Sequence, residues 1–274
     1  MKKFIFRNGE FVFGNTPLIM GILNVTPDSF SDGGEFFDAE NATAHAINMK
    51  NDGADIIDVG AVSTRPGSTF VSVSEEINRL SPVLRNLAKT DIIISVDTFN
   101  PETADFALAN GAHIINDVSG KFNPSMADVI KKYNAGWVMT HTCNVPSGET
   151  VEYTDGIVNA VNDFFDSFIS DCIKYGIAKE QICLDAGFGF AKNTDDNVEL
   201  LKNLEKVIRP DIAFLTALSR KRFIGALTKT DNAADRVIGT IVADLIATEK
   251  GSNILRVHDV KETVQSITIY NSIK

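Results

Sequence analysis

DIIISVDTFNPETADFALANGAHIINDV, Asp91 to Val118, carries the alternation that decides the fold. A β-branched run, Asp91–Val96, ends in Asp97-Thr98. Pro101-Glu102 reads as a helix start and Asn110-Gly111 as its stop. A second apolar run, His113–Asn116, follows and ends in Asn116-Asp117. Strand, crossover helix and strand make a parallel pair joined in the right-handed sense. The same unit recurs in both directions. Further β-rich runs stand at Leu18–Leu23, Ala54–Gly60, Gly136–Thr140, Gln181–Leu184, Ile212–Leu218 and Asn253–Val257. Between them apolar residues fall at helical spacing: Ala42, Ala46, Met49; Ile77, Leu80, Leu84, Leu87; Ile157, Val161, Phe164, Phe168. Ser74 with Glu76 reads as one helix start and Pro124 as another, and Tyr175-Gly176 as a stop. Strand alternating with helix through one chain of 274 residues predicts an α/β fold, a (β/α)8 TIM barrel forming a single domain over residues 1–274. The alternative, a doubly wound open sheet, wants a Gly-x-Gly-x-x-Gly turn after an early strand, which the sequence lacks. Residues 1–16 stand outside the alternation. There FIFRNGEFVFG sets two apolar runs around Asn8-Gly9, a β-hairpin extension able to plug the bottom of the barrel.

Composition fits an ordinary globular chain, with 44% hydrophobic and 23% charged residues. Twenty-six Lys and Arg against 36 Asp and Glu leave a formal charge of −10. Such a field disfavours nucleic acid and anionic membrane as partners. Cys143, Cys172 and Cys183 are odd in number and show no C-x-x-C spacing, so neither a disulfide framework nor a structural zinc site is expected. The apolar stretch of MKKFIFRNGEF is broken by Arg7, Asn8 and Glu10, so it does not read as a signal peptide. No uncharged apolar run reaches membrane-spanning length. The expected address is the cytoplasm.

The residues that follow each strand point to function. In order these are Asn24; Asp58 and then Ser63-Thr64-Arg65-Pro66-Gly67; Asp97-Thr98; Asn116-Asp117; His141; Asp185 with Gly187, Gly189 and Lys192; Ser219-Arg220-Lys221; and Arg256, His258 and Asp259. Singly, each has a bland reading: Asp97 as a helix cap, Asn116-Asp117 as an Asx-turn, Arg65 as a solvated loop charge. Together they converge, because the C-terminal ends of barrel strands share one mouth, where barrel active sites sit. The cations Arg65, Lys221 and Arg256, with His258 when protonated, point in an acidic protein to a phosphate or pyrophosphate. Arg220 either joins them or pairs with a carboxylate. Asp97, Asn116 and Asp185, at the inner strand ends, suit the donor and acceptor edge of a flat heterocycle. Asn24 offers a neutral oxygen to a hard cation such as Mg2+. No Ser-His-Asp set, Cys-His pair or HExxH helix is present.

Seven segments carry a family resemblance: MGILNVTPDSFSDGG (Met20–Gly34), STRPG (Ser63–Gly67), SVDT (Ser95–Thr98), INDVSG (Ile115–Gly120), DAGFGFAKN (Asp185–Asn193), SRKRFIG (Ser219–Gly225) and RVHDV (Arg256–Val260). In order, and over nearly the whole chain, they resemble the dihydropteroate synthases. The resemblance implies a folate-pathway transferase that joins p-aminobenzoate to 6-hydroxymethyl-7,8-dihydropterin pyrophosphate, releasing pyrophosphate. It implies that Asp97, Asn116, Asp185 and Lys221 hold the pterin, with Asp97, Asp185 and Lys221 catalytic. Asn24, Arg65, Arg256 and His258 would bind pyrophosphate, with Mg2+ at Asn24. Thr64, Phe190, Ser219 and Lys221 would line the p-aminobenzoate pocket. A homodimer built on the C-terminal helices and inhibition by sulfonamides are implied in the same way.

The chain departs from the family pattern at three places. Gly60-Ala61-Val62 stands where Gly-Gly-Glu is usual, and Ala186 where the family has Pro. Thr140 separates Met139 from His141 where the family has Met-His, so His141 receives no role. The runner-up reading is a pterin-binding methyltransferase barrel, which would not need the SRK and RVHD cations. A third is a pterin-binding relative without turnover.

Overall fold

A computed structural model describes residues 2–25, 34–62, 71–143 and 150–273. After the hairpin strands β1 (Lys3–Phe6) and β2 (Gly9–Val12), eight parallel strands close into a barrel. They are β3 (Leu18–Asn24), β4 (Ile56–Gly60), β5 (Ile93–Asp97), β6 (Ile114–Asp117), β7 (Gly136–Thr140), β8 (Ile182–Asp185), β9 (Ala213–Thr216) and β10 (Ile254–Val257). Seam pairing of β10 with both β9 and β3 completes the cylinder. Helices α1 (Gly34–Asn51), α2 (Val73–Leu87), α3 (Pro101–Ala109), α4 (Pro124–Tyr133), α5 (Ile157–Tyr175) and α6 (Thr194–Lys202) follow β3 to β8 one by one. Two helices, α7 (Arg222–Thr228) and α8 (Val237–Glu249), lie between β9 and β10, and α9 (Val260–Ile273) ends the fold. This is the (β/α)8 barrel that the alternation predicts.

Because side chains alternate along a strand, each strand feeds two cores. The outward residues Leu23, Ile57, Val59, Ile94, Val96, Ile115 and Leu184 pack beneath the helices with Leu80, Leu84, Ala107, Ile130 and Phe165. The first inward residues, among them Met20, Ile56, Ile114, Val138, Cys183, Ala213 and Ile254, form a separate cluster with Phe4, Phe6 and Phe13 of the hairpin segment. These are N-terminal strand positions, so the hairpin plugs the bottom of the barrel. Phe4 is fully buried, and Gly136 makes room for it, since a Cβ there would lie 2.6 Å from the Phe4 ring. Burying such a ring contributes about 2–3 kcal/mol, which ties the extension firmly to the cylinder.

Local signals are displaced in two places. The hairpin pairs Phe6 with Gly9, so Arg7-Asn8 form the turn, and only Asn8 (φ 67°) is left-handed. Gly9 already belongs to the second strand. Helix α2 starts at Val73, capped by Ser72, whose side chain accepts from Glu75 N–H at 3.2 Å. Ser74-Glu76 is therefore inside the helix. Glu76 is buried and accepts from Asn100 Nδ2 (2.7 Å) and Thr103 Oγ1 (2.8 Å) at the start of α3. It serves the neighbouring helix's N-terminus, where negative charge is favoured. Pro101 and Asn123-Pro124 open α3 and α4, and left-handed Gly176 ends α5 (φ 85°), as the sequence predicts.

Candidate active site

Above the apolar plug the inward positions turn polar. Asn24, Gly60 and Asp97, the last residues of β3, β4 and β5, stand in register with Asn116, the penultimate residue of β6. Thr140 of β7 pairs with Asp185 of β8 on the opposite arc. A Cβ placed on Gly60 would stand 3.8 Å from Asn24 Oδ1 and 3.9 Å from Asp97 Oδ2. The two side chains thus flank bare backbone. Asn24 is exposed at the rim, whereas Asn116 and Asp185 are buried.

One step below sits Asp58, fully buried and absent from the residues singled out as ligands. It accepts from Ser95 Oγ (2.5 Å), Asn116 Nδ2 (2.9 Å) and Arg256 Nε (2.7 Å). Arg256 Nη2 reaches on to Asp97 Oδ2 at 3.1 Å. Two carboxylates therefore share one guanidinium. Burial, reinforced by the charges of Asp58, Glu76 and Asp117, pushes Asp97 up to about 7 against the pull of Arg256. For Arg256 itself burial opposes the charge, yet Asp58 and Asp97 hold its pKa above the ordinary value. The Asn116 amide is oriented by its bond to Asp58, and its Oδ1 is buried with no hydrogen-bond partner. A buried acceptor without a donor costs about 1–3 kcal/mol until something supplies one.

Asp185 accepts from Gly187 N–H at 2.9 Å and from Thr140 Oγ1 at 3.4 Å. Burial raises its pKa, opposed by that amide and by Lys221, Lys192 and Arg256. Lys221 caps α7 and holds its ammonium 4.6 Å from the centre of the Phe190 ring, a cation–π contact. Ser219 Oγ accepts from His258 N–H (3.1 Å) and lies 2.9 Å from His258 Nδ1. Asn24, Asp97, Asn116, Asp185, Phe190, Ser219, Lys221, Arg256 and His258 thus share one end of the barrel. Thr64 and Arg65 lie outside the described residues.

Three residues settle otherwise. Arg220 forms a two-pronged pair with Asp259 (Nε–Oδ2 3.0 Å, Nη2–Oδ1 2.6 Å), which decides its alternative for the carboxylate. Asp117 turns away from the mouth. It accepts from Ser119 N–H (2.8 Å) and Trp137 Nε1 (3.2 Å), and burial pushes it up to about 6 despite these bonds. His141 is buried beside Lys192, with burial first and the Lys192 charge second holding its imidazole down at about 3. The Asp58 signal was the two-residue spacing Ile56-Asp58-Gly60, which puts the acid on the inner face. No periodic pattern marks Lys192.

The comparisons with known proteins bear on this site. A family model described as pterin binding enzyme matches residues 20–258. The dihydropteroate synthase of Escherichia coli K12 is 40% identical over 268 residues, covering 97% of this chain and 94% of the relative. The chain belongs to the dihydropteroate synthases. It is an enzyme of this transferase family. A solved dihydropteroate synthase of Xanthomonas albilineans with 4-aminobenzoic acid superposes with a TM-score of 0.88 at 41% identity, covering 94% of this chain and 93% of that one. That of Clostridium difficile in the presence of pteroic acid gives 0.90 at 39% identity, covering 96% and 98%. The barrel fold is thus shared with these solved synthases.

Proposed function

We propose that the polar mouth joins p-aminobenzoate to 6-hydroxymethyl-7,8-dihydropterin pyrophosphate, giving 7,8-dihydropteroate and pyrophosphate. The observation that carries the assignment of the pterin is Asn116 Oδ1, a buried acceptor without a donor, oriented by Asp58. An amino or ring N–H of the pterin would satisfy it. Asp97 and Asp185 flank the ring, and Lys221 lies between the ring and Phe190. His258 and Ser219, one hydrogen-bonded unit, lie with Arg256 on the arc that receives the pyrophosphate and the carboxylate of the arylamine. Arg65 and Thr64 belong to the same proposal through the family motif.

The chemistry needs no protein nucleophile. The pterin C–O bond breaks and its electron pair leaves with pyrophosphate, whose charge the cations of the rim stabilise. The ring delocalises the resulting positive charge, and ionised Asp97 and Asp185 favour it. The arylamine nitrogen then forms the C–N bond and gives up one proton. Positioning and electrostatics supply the acceleration. The donors at the rim are one neutral amide oxygen, Asn24, beside one carboxylate, Asp97. No group of three acidic, His or Cys ligands exists among the described residues. That set fits Mg2+ arriving with the substrate phosphates, since Mg2+ keeps waters and takes few protein ligands. Held at Asn24, it would neutralise charge on the departing pyrophosphate. Pyrophosphate release measured with and without p-aminobenzoate tests the proposal. Dependence on both substrates supports it; methyl transfer, or binding without turnover, defeats it.

The same proposal extends to a homodimer. Ile238, Val242 and Ile246 of α8 are exposed at i, i+4 and i+8, beside exposed Leu227 of α7. An apolar stripe of this kind suits a self-complementary interface. Ile238→Glu should yield a monomer in sedimentation; an unchanged mass would refute the interface. No helix among the described residues is long and apolar enough to cross a membrane, and the three thiols are unpaired. Both features accord with a cytoplasmic enzyme. Sulfonamide inhibition, competitive with p-aminobenzoate, is the matching pharmacology.

A further inference from the structure

The loop after β8 is pinned from beneath by a lysine that the mechanism does not use. Residues 187, 189 and 191 are all left-handed (φ 68°, 76° and 49°), so the chain Gly187–Ala191 doubles back on itself. Its carbonyls turn inward as it does so. Lys192, only 6% exposed, places Nζ 2.9 Å from Gly187 O, 3.1 Å from Phe190 O and 3.2 Å from His141 O. The fourth neighbour is His141 Nδ1 at 2.9 Å. Among the described residues no carboxylate forms an ion pair with it. Its amine, whose pKa burial brings down to about 7, is surrounded by three main-chain carbonyls and the Nδ1 of the neutral His141 imidazole. Asn197 ties the outer side of the same loop, accepting from Gly189 N–H (2.7 Å) and donating to Lys192 O (3.3 Å) and Asn193 O (2.6 Å).

The pinned loop presents two active-site groups. Gly187 N–H donates to Asp185, and the Phe190 ring meets Lys221. Lys192 grips the carbonyls of these same two loop residues, Gly187 and Phe190. We propose that Lys192, with His141 as its acceptor, is a positioning residue that sets the Phe190 ring against Lys221 and thereby fixes the p-aminobenzoate subsite. This rests on the reading that Phe190 and Lys221 border that substrate. His141, which the sequence left without a role, becomes half of the device. Its ring is held in turn by Phe164, edge-on at 5.2 Å.

Steady-state kinetics with both substrates test this in the full-length enzyme. Lys192→Met keeps length and removes the charge. It should raise the KM for p-aminobenzoate about tenfold or more, with kcat and the KM for the pterin pyrophosphate changed by less than about threefold. His141→Leu, which removes only the imidazole acceptor, should show the same split in milder form. His141→Asn offers an amide oxygen near the place of Nδ1 and should restore the wild-type KM, so the histidine pair decides the matter even if Lys192→Met fails to fold. A KM for p-aminobenzoate equal to wild type in folded Lys192→Met or in His141→Leu overturns the inference, as does a loss confined to melting temperature. Wild-type enzyme without turnover dependent on both substrates overturns the reading of the mouth, and this inference with it. Wild-type turnover without the KM split overturns the inference alone.

Discussion

Asp58→Asn is the perturbation that separates charge from shape at the heart of the mouth. The wild-type carboxylate receives three donors, from Ser95, Asn116 and Arg256. An amide of the same outline offers one acceptor oxygen and turns an NH2 group towards donors. Breaking a buried pair outright costs about 3–5 kcal/mol. Here Arg256 keeps Asp97, so a loss of about 2–4 kcal/mol is expected, or a melting point lower by roughly 5–12 °C. The electrostatic effect has a definite sign. Asp58 is one of the charges that raise Asp97 to about 7. Two unit charges roughly 5 Å apart interact by about 3 kcal/mol at an effective dielectric of about 20, or some two pH units at most. Without that charge one of the influences raising Asp97 is gone while the pull of Arg256 remains, and the Asp97 carboxyl becomes more acidic. Since the mechanism uses ionised Asp97, wild-type kcat/KM for the pterin pyrophosphate should fall as pH drops through about 7. In Asp58→Asn that limb should move down by about one to two units, on a lower plateau because the Asn116 amide has lost its anchor. A folded variant whose limb stays near 7 or moves upward refutes the reasoning, as would an unchanged melting point.

Asn116→Ala removes the orphaned acceptor and should weaken the pterin pyrophosphate about 10- to 100-fold in calorimetric titration, leaving the KM for p-aminobenzoate unaltered. Equal affinity would remove Asn116 from the site. Gly187→Ala places a Cβ 1.9 Å from His141 O at a φ of 68°, so a loss of about 3 kcal/mol or more is expected in thermal melts; a wild-type melt would contradict the geometry. Asp117 titrates at about 6 when folded, above its unfolded 3.8. Its stabilising contribution is therefore present below about 4 and lost as pH rises through about 6. The melting point of Asp117→Asn relative to wild type should rise across that window, and a falling difference would reverse the sign.

The eight strands were legible because each is a short apolar run closed by a polar strand end and followed by a longer stretch before the next run. Asp97, Asn116 and Asp185 were legible for the same reason, as polar residues closing apolar runs. Asp58 was legible as one of the polar residues at the strand ends, but no ligand role was read for it. A carboxylate two residues before a strand end declares its importance only when Ser95, Asn116 and Arg256, up to 198 positions away, arrive around it. Lys192 illustrates a harder case. Its partners are main-chain carbonyls, which are the same for every sequence, and only the left-handed turns at 187, 189 and 191 aim them inward. The helix start at Ser72 in place of Ser74 shows a third cause. Both serines are competent caps, and burial of Glu76 against α3 chose between them.

Soaking crystals with the pterin pyrophosphate tests the central claim most directly. The account predicts the ring between Asp97 and Asp185, one of its N–H groups within about 3.2 Å of Asn116 Oδ1, and the diphosphate towards Asn24 and His258. A ring bound elsewhere on the barrel, with Asn116 Oδ1 still lacking a donor, would contradict it.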